Sequence, residues 1–197
     1  MIRLGLTGGI GCGKSFVANV MAQCGIPVYD SDAAAKHLMG SNSDLQRKLT
    51  QIIGKPVVVS GSLDRKVIAD YIFPDKGNAA KVNALVHPCV IADFEQWCNM
   101  QGSVPYVGLE SAILLECGLE KSVDYVIAVS APRSVCLERA MLRDNATARQ
   151  IEERMDAQMD PDMKAKMADY VVVNGADMNE SDIKIQITQI INSIAVC

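Results

Sequence analysis

Nowhere in the 197 residues does an apolar run reach the roughly 18 positions that crossing a bilayer requires. The opening MIRLGLTGGIGCGKS passes straight into a glycine-rich stretch, with no signal-peptide core or cleavage site. The two absences argue against a membrane protein and predict a cytoplasmic one. No CxxC occurs, and the seven cysteines, Cys12, Cys24, Cys89, Cys98, Cys117, Cys136 and Cys197, are odd in number and widely scattered. That speaks against a disulfide framework or a zinc site and reads most of them as small buried hydrophobes. A basic excess is missing too: the net charge is -4 and the pI near 5.2. Extended nucleic-acid or anionic-membrane surfaces are thereby disfavoured, though a local basic pocket is not. There is no internal repeat, no low-complexity tract, no N-K-x-D and no D-x-x-G, so a guanine-nucleotide switch lacks its usual sequence marks.

What is present is globular. Apolar residues make up 49% and charged residues 21%, which suits a chain that folds unaided around its own core. Short apolar runs alternate with longer helical patterns, the mark of βαβ units and a parallel sheet. Strands are predicted at 2–7, 26–29, 104–109, 124–129 and 169–173. Helices are predicted at about 15–24, 31–39, 43–53, 64–73, 76–100, 132–142, 147–158 and 178–195, with Pro88 expected to kink or divide the longest. Loop-forming residues gather only around 54–61 and 174–177. Residues 31–101 contain helices and no convincing strand, so they read as a helical insertion in one α/β domain.

Gly8-Gly9-Ile10-Gly11-Cys12-Gly13-Lys14-Ser15 satisfies G-x-x-x-x-G-K-[ST] between a predicted strand and a predicted helix. Glycines let successive backbone N–H groups turn inward around phosphates, and the following helix adds its positive end. Lys14 supplies a point charge for the β- and γ-phosphates, and Ser15 a hydroxyl for Mg²⁺. A nucleoside triphosphate with Mg²⁺ is thus the expected ligand pair, with Gly8, Gly9, Gly11, Cys12, Gly13, Lys14, Ser15 and Phe16 as its binding segment. Cys12 sits within this positive potential, which on sequence grounds should lower its pKa and raise its reactivity if the thiol is exposed.

Asp30 and Asp32 follow the second strand, where an open parallel sheet lines its ligand crevice. One carboxylate can take a proton from an attacking hydroxyl and the other can cap the next helix; Asp32 is assigned the catalytic part. Glu110 ends the third strand and reads either as a Mg²⁺ partner beside Ser15 or as a solvated loop acid. Five of the eight arginines, Arg133, Arg139, Arg143, Arg149 and Arg154, fall within residues 133–154, where no lysine occurs. Arg139 and Arg143 lie one helical turn apart on a shared face, suited to clamping phosphates, while surface ion pairs account for Arg149. His87, before Pro88, has no Ser or Cys partner at recognisable spacing and reads as packing or substrate contact.

Taken together, LTGGIGCGKS at 6–15, GIPVYDSDAAAK at 25–36, LVHP at 85–88, ESAILLECGLEK at 110–121, ERAMLRD at 138–144, ERMDAQM at 153–159 and ADYVVVN at 168–174 resemble the dephospho-CoA kinase family over nearly the whole chain. The resemblance implies a P-loop kinase fold: an α/β protein with a five-stranded parallel sheet flanked by helices. Its core is expected at about 1–30, 102–142 and 160–197, a helical substrate-binding insertion at about 31–101, and a lid at about 143–159. It implies phosphoryl transfer from ATP to the ribose 3′-hydroxyl of dephospho-CoA, the final step of coenzyme A synthesis. It places the catalytic base on Asp32, lid arginines on Arg139, Arg143 and Arg154, and an adenine-proximal segment near Asn174. Lys14, Asp32 and Arg143 form the expected catalytic set; Asp32, His87 and Arg154 the substrate set; Arg139 and Asn174 join the nucleotide set; Ser15 and Glu110 hold the metal. The partner is then a small molecule, with neither nucleic acid nor membrane, and oligomeric state is not readable. Two departures stand out: Ala112 replaces the usual proline of the family's P-L-L-[FY]-E segment, and Cys12 fills a position more often Ser. A nucleoside monophosphate kinase, sharing fold and loop, is the competing reading.

Overall fold

The computed structural model describes residues 1–59 and 61–196; Ser60 and Cys197, the latter counted among the buried cysteines expected above, lie outside the described residues. Five strands, β1 (Ile2–Gly8), β2 (Val28–Asp30), β5 (Tyr106–Glu110), β6 (Tyr125–Ser130) and β7 (Tyr170–Val173), form one sheet in the order β2-β5-β1-β6-β7. It is parallel, with Leu4 opposite Gly108 on one side and Tyr125 on the other. The chain divides into two compact units, 1–29 with 101–197 and 30–100.

In the first unit, alternation along β1 decides what covers each face. Leu4 and Leu6 pack with Ile127, Val129 and Val172 against Val17, Val20 and Met21 of α1 (Lys14–Gln23) and Ile183 and Ile187 of α9 (Glu180–Val196). Gly5 points the other way, where an added Cβ would meet Leu114 at 2.8 Å and Val123 at 3.0 Å. The segment after β5 and the short helix α8 (Pro161–Met167) therefore approach β1 closely on that side. β5 and β6 flank β1, and the chain leaves β1 at this topological switch, where open α/β sheets bind ligands.

The second unit is built around α5 (Lys76–Met100), whose buried Val82, Val86, Val90, Phe94 and Cys98 repeat every four residues and make one apolar stripe. Against it pack α2 (Ser31–Ser41), α3 (Ser43–Ile53), with Leu45 and Leu49 buried, and α4 (Arg65–Ile72). Asn42 separates α2 from α3: its extended backbone stops one helix, and its side chain accepts from the Leu45 N–H at 3.0 Å to start the next.

Three expectations need correction. Pro88 does not divide α5, which runs unbroken from 76 to 100 at the cost of one backbone donor. Residues 31–101 do contain strand, a two-residue hairpin of β3 (Val58–Val59) and β4 (Ser62–Leu63). Helix α8 was not anticipated, although Asp160 caps it by accepting from the Asp162 and Met163 N–H groups and Pro161 occupies its first turn. No described helix is long and apolar enough to cross a membrane.

Candidate functional site

Residues 8–15 leave β1 and wrap into the start of α1. Gly11 and Gly13 carry φ of 76° and 87°, in the left-handed region. A Cβ on Gly11 would fall 2.0 Å from the Cys136 carbonyl oxygen, and one on Gly13 2.2 Å from Asn174 Nδ2. Conformation and space both demand glycine here. No side chain caps α1, whereas Asp30, Asn42 and Asp64 cap α2, α3 and α4 with their own oxygens. The first turn of α1 thus takes no capping oxygen from Gly13, the arrangement that suits anion binding at a helix N-terminus.

The loop is held from behind. Asn174, just past β7 and only 2% exposed, donates through Nδ2 to the Cys12 carbonyl at 2.8 Å, and its own N–H binds the Ser130 carbonyl. Its Oδ1 and the Thr7 hydroxyl are buried with no hydrogen-bond partner among the described residues. Arg139, on α6 (Arg133–Asp144), donates to the Asn174 carbonyl at 2.9 Å and the Gly175 carbonyl at 2.8 Å. Gln158 Oε1 accepts from the Ile10 N–H at 3.2 Å. A cavity of about 180 Å³ opens beside the loop, lined in part by Gly9, Ile10, Cys12, Cys136 and Gln158.

Ser15, the second residue of α1, donates its hydroxyl to Glu110 Oε1 at 3.0 Å, so Glu110 lies beside the loop serine. A hydroxyl beside a carboxylate is the hard-oxygen donor set that suits Mg²⁺, so these residues fit that ion. Phe16 follows, exposed on the first turn of α1.

The Cys12 expectation is overturned. Its side chain is 2% exposed, and burial pushes the thiol up, outweighing the opposing influence of Lys14 and, less strongly, Lys164. The loop's positive potential reaches the sulfur, but desolvation wins.

The arginines divide. Arg143 grips Asp144 through Nε at 2.7 Å, and Arg154, on α7 (Ala148–Asp156), reaches the same carboxylate at 2.6 Å. The two cations hold Asp144 well below the usual carboxylate range. Arg139 takes backbone carbonyls instead and does not join Arg143. Arg149 pairs with Glu153, as its spacing suggested, and Arg133 with Asp156. In the second unit, Asp30 caps α2 by accepting from the Ala33 N–H at 2.9 Å, and Asp32 is exposed in the first turn of that helix. His87 is half-buried on α5, where burial lowers its pKa.

Sequence reasoning missed Gln158 and Lys164. Gln158 lies in the ERMDAQM segment, so attention to that segment could have found it; Lys164 lies in no motif and its burial has no sequence mark.

A family model for dephospho-CoA kinase matches residues 2–180. The chain belongs to the dephospho-CoA kinase family. A dephospho-CoA kinase from Porphyromonas gingivalis is 40% identical over 175 residues, covering 88% of this chain and 86% of that protein. One from Bacteroides fragilis is 36% identical over 176 residues, with 89% and 86% covered. The solved structure of TT1252 from Thermus thermophilus is similar with a TM-score of 0.83 and 29% identity, covering 98% of this chain and 96% of that one. The P-loop kinase fold of the family is the observed five-stranded sheet with its flanking helices.

Proposed function

We propose that this chain transfers the γ-phosphoryl group of ATP to the ribose 3′-hydroxyl of dephospho-CoA, giving coenzyme A and ADP in the cytoplasm as the last step of coenzyme A synthesis. The observation that carries this reading is the loop whose α1 amides are left uncapped, beside the Ser15–Glu110 pair, in a chain of this family. Backbone N–H groups of the loop and Lys14 cradle the phosphates, and Lys14 gains most as charge moves toward the β–γ bridge. Ser15 and Glu110 would hold Mg²⁺, which when bound supplies charge neutralisation between the β- and γ-phosphates.

Asp32 takes the proton of the acceptor hydroxyl, with Asp30 left to cap its helix. His87 contacts the acceptor within the 30–100 unit, which serves as its binding region. Arg143 and Arg154 belong to a lid over about 143–159 and move from Asp144 onto phosphate oxygens as it closes. Arg139 and Asn174 shape the adenine side by fixing residues 174–175. Phe16 borders the nucleotide from α1.

The test is a substrate panel: ADP release with dephospho-CoA, AMP, CMP and shikimate, and location of the transferred phosphate on the product ribose. Turnover of dephospho-CoA at least a hundredfold above the others, with phosphate on the 3′-oxygen, is the expected result. Preference for AMP or CMP would sink the assignment in favour of a nucleoside monophosphate kinase.

A further inference from the structure

Lys164 is 1% exposed on α8, an unusual place for a lysine. Its Nζ donates to the Ala112 carbonyl at 2.6 Å and lies 2.7 Å from Glu116 Oε1, which also accepts from the Met159 N–H at 3.3 Å. One ammonium therefore ties the segment after β5, at 112 and 116, to the connection between α7 and α8. Gln158, next to Met159, holds the Ile10 amide of the phosphate loop, so the same short connection is fixed to both loops.

Ala112 lies two residues past Glu110. Between them Ser111, 1% exposed, donates its N–H to the Leu6 carbonyl and continues the β5–β1 ladder. From Lys164 the path runs through the Ala112 carbonyl, along two residues of ladder-bound backbone, to the carboxylate that accepts from Ser15. Shape alone does not call for a charge here: replacing a buried ion pair with apolar groups of similar volume is often neutral or stabilising. A cation gives what an apolar side chain cannot, a directional hold on a carbonyl and a carboxylate together.

We propose that Lys164 is a positioning residue for the metal site: by pinning Ala112 and Glu116 it sets the reach of Glu110 toward Ser15. The proposal rests on the reading of Ser15 and Glu110 as the Mg²⁺ pair. Outer partners of metal ligands typically change metal affinity 10- to 100-fold, and that is the effect expected here.

The experiment measures Mn²⁺ uptake by electron paramagnetic resonance in the presence of adenylyl imidodiphosphate, with circular-dichroism melts of the same samples. The variants are Glu110→Gln, Lys164→Met and the double variant Lys164→Met/Glu116→Leu, which removes both charges together so that no unpaired ion is left buried. All three should bind Mn²⁺ at least about tenfold more weakly, and the double variant should melt within a few degrees of the parent. If Glu110→Gln weakens Mn²⁺ while the folded double variant binds it normally, Lys164 has no positioning role. If Glu110→Gln itself binds normally, the metal-site reading beneath the proposal fails instead. A double variant that no longer folds also overturns the proposal, because the pair is then a requirement of the fold.

Discussion

Asn174 offers a measurable link between the packing behind the phosphate loop and nucleotide affinity. Its Nδ2 donates to the Cys12 carbonyl at 2.8 Å in a site 2% exposed, so Asn174→Ala strands a buried acceptor. Leaving such a group unsatisfied costs about 1–3 kcal/mol, and that is the expected loss of stability in urea unfolding. Where the loop relaxes to recover the lost bond, bound nucleotide must restore its shape, and the same free energy weakens ATP by about 5- to 150-fold. Saturation separates the two effects. At 100 times Kd a ligand stabilises the native state by about 2.7 kcal/mol, and a tenfold weaker ligand at the same concentration by only about 1.4 kcal/mol. Urea unfolding with and without the non-hydrolysable Mg-ATP analogue should therefore show Asn174→Ala less stable alone and less stabilised by ligand. Asn174→Asp, which has no donor and sets a carboxylate against a carbonyl, should be worse. A variant that loses stability while the ligand-linked gain stays at the parental value would refute the reasoning and leave Asn174 as a core residue.

Asp32→Asn keeps the side chain's shape and removes its basic oxygen; kcat should drop by about a hundredfold or more while dephospho-CoA binding by calorimetry changes only a few-fold. Should Asp30→Asn prove the more damaging to kcat, the two roles are reversed. Iodoacetamide at neutral pH should leave activity intact for as long as the protein stays folded, because burial raises the Cys12 thiol; modification of Cys12 in native protein, read by mass spectrometry, contradicts this. Asp144 carries a folded-state pKa depressed by Arg143 and Arg154, so its contribution is present above the unfolded value of about 4 and is lost as pH falls below it. Melting temperatures from pH 6 down to 2.5 should fall more steeply for the parent than for Asp144→Asn, and parallel curves would dissociate the carboxylate from the α6–α7 contact.

How much of the fold could be read in advance followed the length and solidity of each pattern. β1, β6 and α5 are long apolar or periodic segments, and their predicted bounds lie within two residues of those observed. Short elements escaped. The β3–β4 hairpin has two-residue strands, too brief for an alternation to register, and α8 has only seven residues. Its one clear signal, Asp160-Pro161, is a cap and first-turn pair rather than a periodicity. Pro88 does not divide α5, since proline removes a single bond and need not end a helix whose apolar stripe is buried on both sides of it.

For the site, the limits are of a different kind. Gly11 and Gly13 are legible because a backbone requirement restricts the residue to one type, and a motif records such restrictions. Whether Cys12 faces the phosphates or the core turns on what stands behind the loop, where Val129 and Cys136 are distant in sequence and without distinguishing type. The arginines show the same limit from the other side. Their enrichment between 133 and 154 is visible as composition, yet Arg139 and Arg143, equivalent by helical spacing, take unlike partners because one meets the carbonyls of 174–175 and the other the carboxylate of Asp144. Lys164 is the extreme case: a lysine in a polar stretch reads as solvated, and only the three-dimensional approach of Ala112 and Glu116 makes its burial affordable. Sequence thus records constraints that act on one residue's type, whereas constraints that act on pairs brought together by the sheet must be read from the structure.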